Sequence, residues 1–193
     1  MKPAAKSVPI VVGAVGAVTV LIDQLTKWWA LSTLTPNAEP IEILGRFLGL
    51  RLVLNPGAAL SLGASSTWIM TSLAVAITVA VIAYSRRVTS RRWAWALGFI
   101  LGGAVGNLID RFFRAPGFGQ GHVVDFIDYQ VFVGNVADIA LVGAAVYVVW
   151  LNLTGVPPHA QTPRQSVSSA PLPASSTSQA DPRPGRPSDE DVR

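Results

Sequence analysis

The stretch "GHVVDFIDYQVFVGNVAD", residues 121–138, places Asp125, Asp128 and Asp138 within fourteen positions of a chain in which only 13% of residues are charged. Asp138 falls inside an apolar run, Asp125 lies just before it, and no basic residue separates them. Two carboxyl groups brought together in partly dry surroundings cannot both ionise readily, so one pKa rises and the pair shares a proton. Such a pair suits acid–base hydrolysis: the ionised member takes a proton from water, and the protonated one donates to a carbonyl oxygen or a leaving amine. Other polar residues have spacings that suit the same site. Asp23 and Lys27, four apart, share a helical face at the spacing of an ion pair. Asn107, Asp110 and Arg111 fall on one side of a second helix, where Asp110 and Arg111 are expected to play a structural role together. Asn55 stands in "LNPGAAL", and Asn135 in "GNVAD" is placed to cap a helix. Asp138 need not then serve as the cap and is expected to face the interior.

The elements that must position these groups are apolar. Half of the residues are hydrophobic, concentrated in runs at 8–30, 68–84, 93–109 and 131–151. A bilayer core of ~30 Å needs ~20 apolar helical residues. Four such runs in residues 1–152 leave too little polar surface for a soluble domain, so each is predicted to span a membrane. Lys2 and Lys6 precede the first run as in a signal peptide, but the segment continues through Asp23 and Lys27 to Ala30, which predicts an uncleaved first span. Arg86, Arg87, Arg91 and Arg92 in "SRRVTSRR" link the second and third runs. With Lys2 and Lys6 they mark the cytoplasmic side, so both termini are expected inside and the aspartates at the outer boundary. The net charge of +4 is therefore topological, with contact to membrane lipids and not to nucleic acid. The absence of cysteine excludes disulfides and thiolate chemistry, and with only two histidines no metal site is expected.

Counted from the start of the fourth run, Asp138 lies two turns in, roughly 10 Å deep. Five of the seven acidic residues in 1–152 are Asp, and all five gather at the outer boundary. A carboxylate there costs a few kcal/mol unless it is paired, solvated or neutralised. In the outer segment 31–67, Pro36, Asn37 and Pro40 favour turns, and "IEILGRFLGLRLVLNPGAALSLG" predicts a small strand-rich cap on the outer leaflet. Gly98, Gly102 and Gly106 form a smooth face for close approach of another span. Residues 153–193, rich in Pro and Ser, read as a disordered cytoplasmic tail. The predicted fold is an all-α membrane protein: four transmembrane helices with a β-rich outer cap in one domain, 1–152, followed by the tail.

This chemistry alone allows either an intramembrane aspartyl protease or a proton-coupled carrier that uses the Asp cluster as a relay. The carrier is disfavoured because the acidic groups gather on one face. A serine hydrolase would need "ALSLG" at 59–63 as a nucleophile elbow, with Ser61 paired to Lys27 or His122, but the first Gly and the strand–turn–helix context are missing. A non-catalytic assembly factor is the remaining alternative.

At these residues the chain resembles lipoprotein signal peptidase, the bacterial signal peptidase II family. "DQLTKWW" at 23–29, "LVLNPGAALSLG" at 52–63, "GGAVGNLIDRF" at 102–112, "HVVDFID" at 122–128 and "GNVADIAL" at 134–141 resemble its five motifs, in order. The resemblance implies an aspartic endopeptidase of the bacterial inner membrane that cleaves diacylglyceryl-modified prolipoproteins before the lipidated cysteine. It implies a catalytic pair at Asp125 and Asp138. Asn55, Gly57, Asn107, Arg111 and Asn135 would position the substrate or the aspartates, and Asp23, Lys27 and Asp110 would brace the site. It further implies inhibition by globomycin-like cyclic peptides, a cradle in 31–67 and a lid helix within 112–133; a monomer without cofactor or metal is expected. Two positions depart from the pattern: Gly134 where the family commonly has Phe, and Ile139 where it commonly has Ser.

Overall fold

The structure, a computed structural model, describes residues 4–45, 47–57 and 65–159. Ser61 and residues 160–193 of the expected tail lie outside the described residues. In chain order the elements are α1 (Ala4–Thr33), β1 (Ile41–Leu44), β2 (Leu48–Asn55), α2 (Ser65–Ser85), α3 (Arg91–Phe113), β3 (Val123–Asp128), β4 (Val133–Gly134) and α4 (Val136–Leu153). All four helices are long and apolar enough to cross a membrane. Their outward residues stay apolar, with Leu21, Leu25, Leu73, Val79, Val142 and Val146 all exposed. That surface suits lipid, where a helix satisfies its own backbone hydrogen bonds. The four expected spans are therefore present, in an all-α membrane bundle with a small sheet.

The fourth span begins later than its hydropathy suggests. Val133 and Gly134 pair with β3, and Asn135 caps the helix, so α4 starts at Val136. Asp138 consequently sits in the first turn of α4, not two turns inside it. Hydropathy alone cannot separate an apolar strand end from the helix that follows it.

Helix α3 is central and packs on α1, α2 and α4. Its glycine face permits this. A Cβ at Gly98 would lie 2.6 Å from Val15 Cβ, one at Gly102 would lie 2.4 Å from Thr19 Cβ, and one at Gly106 would lie 2.6 Å from Asp23 Oδ2. Each glycine thus meets successive i+4 residues of α1. The adjacent Gly103 leaves room for Ala137 O of α4 at 2.6 Å. At the end where α2 turns into α3, Val8, Val12, Val81, Val88, Trp93 and Leu151 form one core. There the chain after α4 folds back, and Trp93 Nε1 donates to Val156 O at 2.8 Å.

At the other end lies an antiparallel sheet in the order β1-β2-β3-β4. The expected cap supplies only its first two strands. The other two come from the segment expected to hold a lid helix. Among the described residues, 114–133 contain no helix, only turns and strands. The physical reason is pairing: Val123, Val124 and Asp125 register against Asn55, Leu54 and Val53, and so continue the sheet. Val124 and Phe126 pack with Ala30 of α1 and Leu52 of β2 in a second small core, which seats the sheet on the bundle.

Replacing Gly102 by Ile is expected to force α1 and α3 apart, at a cost of about 1–3 kcal/mol for overpacking. Gly13→Ile, where a Cβ meets nothing within 4 Å, serves as the control. Thermal unfolding in detergent should show a drop for the first variant and none for the second.

Candidate active site

The site forms where the ends of α1 and α3, the start of α4 and strand β3 meet. Its base is Lys27. The ammonium is wholly buried and lies 2.9 Å from Asp23 Oδ2 and 2.7 Å from Asp110 Oδ2, both of which are also wholly buried. It donates a third bond to Asn107 Oδ1 at 3.0 Å. A lysine has three N–H donors, and here all three have partners. Two carboxylates around one ammonium leave one negative charge over, and Arg114, 2.5 Å from Asp110 Oδ1, balances it.

The bracing carboxylates reach onward to the backbone. Asp23 Oδ1 accepts from Ala137 N at 3.0 Å, in the first turn of α4 and next to Asp138. Asp110 Oδ2 accepts from Val124 N at 3.3 Å, next to Asp125 in β3. The expected pairing of Asp110 with Arg111 is replaced by pairing with Lys27 and Arg114. Arg111 turns the other way, and its Nη1 donates to Asn55 O at 3.1 Å and Gly121 O at 3.0 Å. Neighbouring helix positions point about 100° apart, so Asp110 and Arg111 cannot address the same partner.

Above this base stand Asp125 and Asp138. Asp125 Oδ2 accepts from Asn55 Nδ2 at 2.8 Å, and Asp125 Oδ1 accepts from Asn135 Nδ2 at 2.6 Å. Asp138 Oδ1 accepts from Asn107 Nδ2 at 2.9 Å, and Asp138 Oδ2 accepts from the Asn135 backbone N at 3.1 Å. Asn135 therefore touches both carboxylates, one with its side chain and one with its main chain. Its Oδ1 accepts in turn from Asp138 N at 3.0 Å, closing a reciprocal capping box. Asn135 is the cap, as expected, and Asp138 joins it through the reciprocal bond. An N-cap and the third residue of the helix are close enough to bond both ways.

Asn55 is oriented by its own turn: Gly57 N donates to Asn55 Oδ1 at 2.8 Å. Gly57 has φ +97°, and a Cβ there would come within 3.4 Å of Arg111 Nη2, so a side chain would be strained as well as crowded. All ten residues singled out from the sequence are thereby drawn into one network. The sequence reading missed three others. Gln24 Nε2 donates to Asp23 Oδ2 and to Gly106 O, both at 3.1 Å. Arg114 stands four residues after Asp110, an ion-pair spacing that could have revealed it. Gly121 is the third: a Cβ there would meet Asp110 O at 2.2 Å, and nothing in "GFGQGH" foretells that contact. Among the described residues, no group of three His, Cys, Asp or Glu side chains is arranged to hold a metal ion.

The two carboxylates differ in setting. Asp125 is buried, at 2% exposure, whereas Asp138 is half-buried. Burial, and then the charge of Asp138, push the Asp125 pKa up to about 6 against the opposing hydrogen bonds from Asn55 and Asn135. Because this folded-state pKa lies above the unfolded value of ~3.9, the group favours folding most fully below pH ~4. That contribution is lost as pH rises through about 6. Asp138→Asn should therefore lower the Asp125 pKa, and Asn55→Ala should raise it. Infrared titration of the carboxyl stretch would measure both shifts, and their directions should be opposite. Lys27→Met should leave two buried carboxylates without their cation and cost about 3–5 kcal/mol, read as a lowered unfolding temperature.

Comparison with known proteins gives the chain's family. The family model described as signal peptidase (SPase) II matches residues 15–154. A lipoprotein signal peptidase of Rhodococcus jostii is 45% identical over 147 residues, covering 75% of this chain and 73% of that protein. One from Bifidobacterium longum subsp. infantis is 46% identical over 147 residues, covering 76% and 80%. Two bacterial membrane enzymes solved by the in meso method share the fold. One has a TM-score of 0.63 at 22% identity, covering 77% of this chain and 91% of that one. The other has a TM-score of 0.63 at 24% identity, covering 72% and 90%. With five motifs in order, four apolar helices and this length of similarity, the chain belongs to the signal peptidase II family and is a bacterial membrane protease.

Proposed function

We propose that this chain is an aspartic endopeptidase that removes signal peptides from diacylglyceryl-modified prolipoproteins, cutting on the amino side of the lipidated cysteine. The observation that carries the reading is the bridging of two carboxylates by one residue, Asn135, which donates to Asp125 from its side chain and to Asp138 from its backbone. Asp125, buried and raised to about 6, is the member that holds the shared proton. Asp138, half-buried and held by two N–H donors, is the member assigned to act on water.

In the proposed reaction Asp138 takes a proton from water as the water oxygen bonds to the scissile carbonyl carbon. The Asp125 proton passes to the carbonyl oxygen, giving a neutral tetrahedral diol. When the C–N bond breaks, the cysteine nitrogen takes the proton held by Asp138, and the diol returns its proton to Asp125. The products are a free carboxyl end and a free amine, and the pair is restored. No cofactor or metal enters these steps. Asn55, Asn107 and Asn135 hold the carboxylates without adding charge that would quench the shared proton.

The arginine-rich α2–α3 turn supports an orientation with both termini cytoplasmic and the site toward the outer face. Residues 1–152 act as one peptidase domain, with the sheet as its outer cap and membrane lipids around it. We infer a monomer that is open to globomycin-like cyclic peptides.

A lipidated precursor followed by gel shift tests the reading. Asp125→Asn and Asp138→Asn should each slow cleavage by ~10²–10⁴-fold while unfolding temperature is retained. Ser61→Ala should cleave normally, and a globomycin-like peptide should block the wild type. Normal cleavage by either Asn variant would end the proposal. Ion flux through purified protein in liposomes, abolished by Asp138→Asn, would replace it with the carrier.

A further inference from the structure

The end of the bundle away from the sheet carries four arginines in and just after the turn from α2 to α3: Arg86, Arg87, Arg91 and Arg92. All four are exposed. Among the described residues none of their side chains has an ion pair or a hydrogen bond. The acidic side chains among the described residues all lie toward the sheet end, so none of them offsets this charge. Beside the turn the chain after α4 folds back. Thr89 N and Ser90 N donate to Pro158 O at 3.0 and 3.2 Å, and His159 Nδ1 donates to Arg87 O at 2.7 Å. These bonds border an open cavity of about 480 Å³, with Thr89, Ser90, Arg91 and Arg92 on one side and Val156 and His159 on the other. The Ser90 hydroxyl makes no capping bond to α3 and stays available as a donor.

We propose that this cavity holds the phosphate of an anionic phospholipid headgroup from the leaflet at that end. Its depth suits a headgroup. Trp95, one turn beyond Arg91 on the same face of α3, is exposed, as are Tyr84 at the end of α2 and Trp150 and Leu153 at the end of α4. Tryptophan and tyrosine collect where hydrocarbon gives way to headgroups. Its chemistry suits a phosphate. The guanidinium forks of Arg91 and Arg92 match phosphate oxygens through paired N–H bonds, and the hydroxyls add neutral donors. Val156 leaves an apolar edge for the glycerol esters, which a soluble phosphate would not use. Arg86 and Arg87 stand on the same turn and repel a headgroup that also bears a cation, so a zwitterionic phospholipid is the weaker ligand. The site depends on the spans and not on their direction of insertion. It is also separate from the peptidase chemistry, since Arg91 and Asn107 lie roughly 24 Å apart along α3.

The test titrates purified full-length protein in neutral detergent with short-chain phosphatidylglycerol, with phosphatidylcholine of the same chains, and with inorganic phosphate. Native mass spectrometry counts the bound lipid, and thermal unfolding reads the stabilisation that binding confers. Wild type should retain one phosphatidylglycerol and unfold at a higher temperature with it, while the other two ligands do much less. Arg91→Gln with Arg92→Gln should weaken phosphatidylglycerol binding roughly tenfold, because the paired bonds are lost. Arg91→Lys with Arg92→Lys keeps the charge without the fork and should fall between that variant and wild type. Arg86→Gln with Arg87→Gln removes the same charge from outside the cavity and should weaken binding by no more than about threefold, since charges out of contact are screened. All three double variants should unfold at the wild-type temperature in detergent alone, so that a loss of binding is not a loss of fold. Equal loss in the two glutamine variants would reduce the effect to diffuse attraction. Equal binding of phosphatidylcholine would remove the preference for an anionic headgroup, and a match by inorganic phosphate would make the ligand a soluble one. Each of these three results overturns the proposed site.

Discussion

The buried ammonium of Lys27 is the contact on which the rest depends. Placed in an apolar bundle, Asp23 and Asp110 could not stay ionised alone; the cost of removing a carboxylate from water would neutralise or expel it. With Lys27 between them, both remain anchored, and each uses its remaining lone pairs on a backbone N–H of another element. One holds α4 at Ala137, and the other holds β3 at Val124. These are the neighbours of Asp138 and Asp125. The third bond of Lys27 orients Asn107, which reaches Asp138 directly. A single cation therefore sets the position of both carboxylates through its bonds to Asp23, Asp110 and Asn107.

The arrangement separates charge that braces from the charge proposed to react. The bracing groups compensate each other at the base. Asp125 and Asp138, the pair proposed to react, are held by asparagine amides, which fix geometry and favour ionisation only modestly. A lysine or arginine bonded in their place would hold both carboxylates ionised, and the shared proton would be lost. Close helix packing is a precondition. Gly106 admits the Asp23 carboxylate between α1 and α3, and Gly103 lets α4 approach far enough for Ala137 N to be captured. Polar and packing requirements are thus met at the same few positions of α3.

Much of this was legible in residue order. Long apolar runs reveal spans because the bilayer demands them, and i,i+4 spacing revealed the Asp23–Lys27 pair because both residues lie on one helix. Asn135 could be read as a cap for the same local reason. The reading faltered where the partner lies far along the chain. Asp110 was expected to act with its neighbour Arg111, yet it pairs with Lys27, 83 positions away, as well as with Arg114. The segment after α3 was expected to hold a helix, yet its register is set by β2, which no local pattern announces. Ser61 and the expected tail beyond 159 lie outside the described residues.

By itself the sequence determined the spans, the family, the inventory of acidic and amide side chains and the smooth face of α3, because each depends on composition or on spacing within one element. Only the tertiary structure decided that Asp125 sits on a strand, that Asp138 belongs to the first turn of its helix, and that one buried cation links both to the bundle. The strand and the buried cation depend on pairings between residues dozens of positions apart, which exist only once the elements have packed, and the start of α4 depends on the pairing of Val133 and Gly134 with that strand.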